Sequence, residues 1–110
     1  MEREKFVRLM EETFADALNL NRTKGKDYAG DDDALSNFKA AADRLGVTPE
    51  QVWAVYADKH WSAIMAYCSE GKLESEPIES RVKDVIVYCV LLLGLIEDKF
   101  EGNGDARLLG

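Results

Sequence analysis

Apolar positions recur at helical spacing along most of this chain, and four segments carry the pattern. The strongest is RVKDVIVYCVLLLGLI, Arg81 to Ile96, in which twelve consecutive residues from Val85 are apolar or glycine. A helix that is apolar all round needs partners on several faces, either other helices of its own chain or a copy of itself. The run is shorter than the roughly 18 apolar residues a bilayer requires. Arg81, Lys83 and Asp84 precede it and Glu97, Asp98 and Lys99 follow it, so it reads as a central packing helix buried on nearly all sides. Ser75 or Glu76 can cap its start, and Pro77 suits the first helical position, where its missing donor costs nothing.

The N-terminal segment, roughly residues 2 to 19, places Phe6, Met10, Phe14 and Leu18 four apart, which predicts a helix with one apolar stripe facing the core. The next stretch, NLNRTKGKDYAGDDD (19–33), holds two glycines and no apolar period, and reads as a long loop. Connections of that length in compact domains are either functional or disordered. Asp31, Asp32 and Asp33 offer caps and favourable negative charge to a second helix from about Ala34 to Leu45, stopped by Gly46. Phe38 is a core position there, and the neighbouring Asn37 is placed to hydrogen-bond the loop or a base edge.

Thr48, Pro49, Glu50 and Gln51 supply the clearest start signal: a cap, a first-position proline and a Gln that completes a capping box. The third helix should run to Glu70 and end at Gly71, with Val52, Tyr56, Ala63 and Tyr67 on one face and Trp53, Ile64 and Cys68 on the adjoining one. The fold class is therefore all-α: a compact bundle of about four helices in a single domain, 1–100, followed by a flexible tail, 101–110. Association through the C-terminal apolar helix is expected, with a two-fold dimer as the default.

Composition narrows the chemistry. At 110 residues the chain is one domain that needs neither disulfide nor metal to build a core. A formal charge of -7 argues against generic DNA binding or an anionic membrane surface, because phosphate backbones are held by clustered Lys and Arg. A small phosphorylated ligand needs only a local basic cluster. Cys68 and Cys89 lie in helical segments without CxxC spacing, and there is one histidine, so buried reduced thiols are expected rather than a zinc site. The charged N-terminus is not a signal sequence, and a cytoplasmic setting is the expectation.

Three clusters can carry a ligand. Arg22, Lys24 and Lys26 with Tyr28 offer cations for phosphate and a ring for stacking, against the plain alternative of a solvated loop. Lys59 and His60 stand at the midpoint of the third helix, where a lone histidine is more often structural than catalytic. Arg81, Asp84 and Tyr88 share one face at the mouth of the central helix. There the carboxylate must be paired, hydrogen-bonded or metal-bound, and the plain alternative is an Arg81–Asp84 surface pair.

The combination KGKDYAGDDDALSNF (24–38), ADKHWSAI (57–64) and SEPIESRVKDVIVYCVLLL (75–93) resembles the small phage and prophage proteins called the nucleotide modification associated domain family. The resemblance runs from about residue 22 to 98. It implies a small helical phage protein connected with nucleotides, acting in the host cytoplasm, and marks Lys24, Gly25, Asp27, Tyr28, Asn37, Phe38, Lys59, His60, Glu79, Arg81, Asp84 and Tyr88 as motif positions. The DVIVY segment is also faintly similar to the last helices of all-helical nucleoside triphosphate pyrophosphohydrolases, which hold magnesium with carboxylates on two helices. This chain lacks the paired-glutamate helix of that pattern.

The leading expectation is a nucleotide-binding protein, one purpose of which would be to sequester a host defence signal. Lys24, Lys26, Lys59 and Arg81 take phosphate, Tyr28 stacks on a base, and Asn37, His60 and Asp84 bond base or ribose, with Asp27 and Tyr88 completing the set. No cofactor is required. The first alternative is a hydrolase in which Asp27, Glu79 and Asp84 hold Mg²⁺ and a bound water attacks a phosphoryl group. The second is a protein-interaction module built on the acidic surface and the apolar helix.

Overall fold

The computed structural model describes residues 1–28, 33–73 and 76–103, with side chains throughout those ranges except at 21, 23–28, 102 and 103. The described residues form four helices and no strand: α1 (Arg3–Tyr28), α2 (Ser36–Leu45), α3 (Pro49–Glu70) and α4 (Ile78–Asn103). The all-α class is as the periodicity predicts. Among the described residues no helix is long and apolar enough to cross a membrane.

Local chemistry sets most helix ends. Thr48 accepts from the Gln51 amide at 3.1 Å while the Gln51 side chain accepts from the Thr48 amide at 2.9 Å, so two otherwise orphaned donors of α3 satisfy each other's side chains. Gly46 and Gly71 end α2 and α3 at φ 70° and 80°, a left-handed conformation that a Cβ disfavours. The start of α2 differs from the capping expected of three aspartates. Leu35 is the N-cap and makes no side-chain cap bond, while Asp33 accepts from the Leu35 amide at 2.9 Å, one turn earlier. Asp31 and Asp32 lie outside the described residues.

α1 is longer than predicted. The segment expected to be a loop from residue 19 continues as helix through Tyr28. A polar stretch without apolar period can still be helical: Arg22, Lys24 and Lys26 are good helix formers and there is no proline. Lys24, Lys26, Asp27 and Tyr28 are thereby placed on the last turns of a helix, with their side chains outside the described residues. At the other end α4 begins at Ile78, one residue after Pro77, and runs past the expected end of the domain to Asn103. The tail from 104 lies outside the described residues.

The core gathers Leu35, Phe38, Ala41, Ala42, Val52 and Leu95, with Trp53, Tyr88 and Leu91 packed on it. α3 packs on α4, α2 on α3, and α1 on α4. α3 and α4 run antiparallel, since Trp53 meets Tyr88 while His60 meets Arg81: partner numbers fall on α4 as they rise on α3. Leu35 packs on α4 at Gly94, where a Cβ would meet Leu35 Cδ1 at an ordinary 3.4 Å. Lys39 closes the assembly by donating to both Asp33 and Asp98 at 2.7 Å.

Three burial expectations are overturned. Phe6, Met10, Phe14 and Leu18 are all exposed, Phe14 by 58%, although their spacing reads as core. The reason is that among the described residues α1 packs on α4 alone, through the side marked by the buried Ala17 and the Asp16 to Lys83 ion pair at 3.2 Å. Nor is α4 covered all round: Leu95 is 2% exposed, but Val82, Val90 and Leu93 face outward, as does Cys89. Cys68 is also exposed, so neither thiol is the buried one expected.

Candidate functional site

Four of the predicted site residues come together where α3 crosses the first turns of α4. His60 reaches across from α3, and Arg81, Asp84 and Tyr88 follow one another at spacings of three and four, so they share a face of α4. Arg81 Nη1 donates to His60 Nδ1 at 3.0 Å. Asp84 Oδ2 stands 3.8 Å from the same nitrogen, and the His60 and Tyr88 rings lie 4.9 Å apart between centroids, tilted by 49°. All four are partly buried.

Arg81 does not make the surface pair with Asp84 that the sequence suggests. Its Nε is ion-paired with Glu76, just before α4, and its Nη1 is committed to His60. Glu76 was legible in the sequence only as a possible cap. Because a guanidinium can only donate, His60 Nδ1 must accept, which fixes the neutral ring with its proton on Nε2. Burial lowers the His60 pKa below its usual 6.5; Asp84 and Glu76 act to raise it, while Arg81 and Lys59 act to lower it. Tyr88 is shifted upward by burial, with Asp84 and Tyr56 adding to that shift.

Tyr88 is also held by its backbone and its neighbours. Trp53 Nε1 donates to the Tyr88 carbonyl at 2.8 Å, and Phe38 packs its ring edge-on at 6.4 Å. Tyr88 also lines a groove of about 350 Å³ between α3 and α4, together with Trp53, Ala57, Asp58 and Trp61 from α3 and Val85 and Cys89 from α4. The spacing of Trp53, Ala57 and Trp61 by four puts them on one face of α3 and is the signal in the sequence for this groove. One tyrosine thus borders an apolar, indole-lined groove and an ionic cluster.

Of the remaining predicted positions, Lys59 acts on this cluster through its charge on His60. Lys59 and Asn37 are exposed, and Glu79 is exposed on the first turn of α4. Lys24, Lys26, Asp27 and Tyr28 have side chains outside the described residues, so the Asp27, Glu79 and Asp84 triad is seen only in part. Glu79 and Asp84 are five apart on one helix, about 140° around its axis, and do not point the same way. Among the described residues no three His, Cys, Asp or Glu side chains are grouped to hold a metal ion. Compared with known proteins, the chain matches no family model, no curated protein and no solved structure.

Proposed function

We propose that this chain binds a small phosphorylated nucleotide at the seam of α3 and α4, with the base against the Trp53 and Trp61 groove and the phosphate toward Arg81 and Lys59. The observation that carries the reading is the position of Tyr88 between that groove and the His60, Arg81 and Asp84 cluster. A nucleotide has the same division, a planar apolar face joined to an anionic end, and Trp and Arg are the side chains best suited to those two halves. Arg81 has five N–H donors, and Glu76 and His60 orient the guanidinium without using all of them. His60 Nε2–H and the Asp84 carboxylate supply a donor and an acceptor for a ribose hydroxyl or a base edge. Lys24, Lys26 and Tyr28, at the end of α1, and Asn37 on α2 are further contacts in this proposal, and capture of a host nucleotide signal is the purpose that the phage resemblance suggests.

The test is a thermal-shift screen of mono-, di- and cyclic nucleotides with and without Mg²⁺, followed by chromatography of each stabilising compound. A ligand at a hundred times its Kd stabilises by about 2.7 kcal/mol, a large shift for a chain of this size. The expected result is one nucleotide class that raises Tm and returns intact, with affinity lowered about tenfold or more by Lys59→Ala and by Arg81→Ala. Recovery of a cleaved nucleotide would turn the reading to hydrolysis. No shift with any nucleotide would overturn it.

A second reading is compatible with the first and has its own observation: the apolar rows left open on α1 and α4. The proposal includes a homo-oligomer as the working form.

A further inference from the structure

The groove between α3 and α4 is lined by aromatic and small apolar side chains with one departure. Of the described residues that line it, Asp58 alone carries a charge. Its carboxylate makes no hydrogen bond or ion pair with any described residue. We infer that Asp58 makes the groove selective for guanine, accepting from the N1–H and the 2-amino group of a base stacked beside it on Trp61. This rests on the nucleotide reading and deepens it by naming the base.

Asp58 stands where the edge of such a base would fall. Ala54, Asp58 and Trp61 follow one another at spacings of four and three, so they share a face of α3, with neighbouring Cβ atoms about 5–6 Å apart. The Trp61 indole is 55% exposed and free to take a ring, whose edge then lies within reach of the carboxylate. His60 is two residues further on, about 200° around the helix axis, so Asp58 faces away from the ionic cluster. A carboxylate repels a phosphate and is compatible with a nucleotide only at its uncharged end.

Stacking on an indole favours every base alike, so the edge must do the selecting. The Trp53 N–H is already given to the Tyr88 carbonyl, and the Cys89 thiol is a weak donor. Asp58 is left as the strong polar group of the groove, and an ionised carboxylate only accepts, through two oxygens side by side. Guanine alone among the four common bases presents two adjacent donors to match them. In adenine and cytosine the amino group stands next to a ring-nitrogen lone pair, and in uracil the N3–H stands between two carbonyls. With those bases the second carboxylate oxygen meets a lone pair, whereas with guanine it completes a charge-assisted bidentate pair.

The test is calorimetric titration of the full chain with guanine, adenine, cytosine and uracil nucleotides, each as the 5′-mono-, 5′-di- and 3′,5′-cyclic phosphate, and with the inosine and xanthosine counterparts. Wild type should bind guanine nucleotides about tenfold or more tightly than the other three. Inosine, which keeps N1–H and lacks the 2-amino group, should fall between. Asp58→Asn should abolish the guanine preference and favour xanthosine, because an amide offers one acceptor and one donor to the xanthine N1–H and 2-carbonyl. Equal affinity for the four bases, a preference for a base other than guanine, or a guanine preference that Asp58→Asn leaves intact overturns the inference while the nucleotide reading stands. No binding by any of these compounds overturns both. Asp58 is exposed, so the variant should retain helical circular dichroism. Should it fail to fold, guanosine against inosine in the wild type decides, and equal affinity overturns the assignment.

Discussion

Arg81 Nη1 lies 3.0 Å from His60 Nδ1, and since a guanidinium has no lone pair with which to accept, this contact holds the imidazole in one neutral tautomer. A proton added to Nδ1 must break that bond and leave the ring facing a guanidinium.

Stability should therefore depend on the His60 charge. Its folded pKa lies below the unfolded value near 6.5, so below about pH 6.5 the unfolded chain binds more protons and stability falls as pH is lowered toward the folded pKa. Above pH 6.5 the contribution is constant. Denaturant melts of wild type and His60→Gln across pH 5 to 8 should show a slope in the wild type that the variant lacks; equal slopes would contradict the tautomer. The imidazole nitrogen shifts in a ¹⁵N spectrum at neutral pH should identify Nε2 as the protonated nitrogen.

Trp53 contributes both packing on the core and the bond to the Tyr88 carbonyl. Trp53→Phe keeps an aromatic ring but deletes the donor and part of the contact area, and should cost about 1–3 kcal/mol. Under the proposed nucleotide reading the same substitution should also lower affinity, because it narrows one wall of the groove. Urea melts combined with ligand titration separate the two effects.

Lys39 joins Asp33, ahead of α2, to Asp98 on α4. These groups are more than a third exposed, so Lys39→Met should cost no more than about 1 kcal/mol, and the cost should shrink as salt is raised. Lys39 and a backbone amide depress the Asp33 pKa below 3.8. The stability this carboxylate adds is present above that value and is lost as pH falls through its folded pKa, a dependence that Asp33→Asn should remove.

The helical glycines should respond in opposite directions to alanine. Gly94 lies inside α4 with ordinary contact space for a Cβ, so Gly94→Ala should stabilise by about 0.5–1 kcal/mol. Gly71 has φ 80°, and Gly71→Ala should destabilise by about 1–2 kcal/mol despite the open space around it. Thermal melts of the two variants provide the comparison.

The sequence by itself determined the all-helical class and several helix ends, though not the extension of α1 through Tyr28. Thr48 with Gln51, Gly46 and Gly71 act through bonds and dihedrals within one or two turns, so the α3 boundaries at Pro49 and Glu70 follow from local chemistry alone. The pairing of Arg81, Asp84 and Tyr88 on one face was legible for the same reason, since helical spacing is a local property. Tertiary structure decided what covers each face. Periodicity marks Phe6, Met10, Phe14 and Leu18 as apolar, but burial depends on which helix arrives and on which side, and among the described residues α4 leaves these four exposed. The bond between His60 and Arg81 spans 21 positions, and the indole-lined groove exists only because α3 and α4 run antiparallel in one particular register. Such contacts depend on the packing of distant segments, a free energy to which no short window of residues contributes enough to be read from the chain alone.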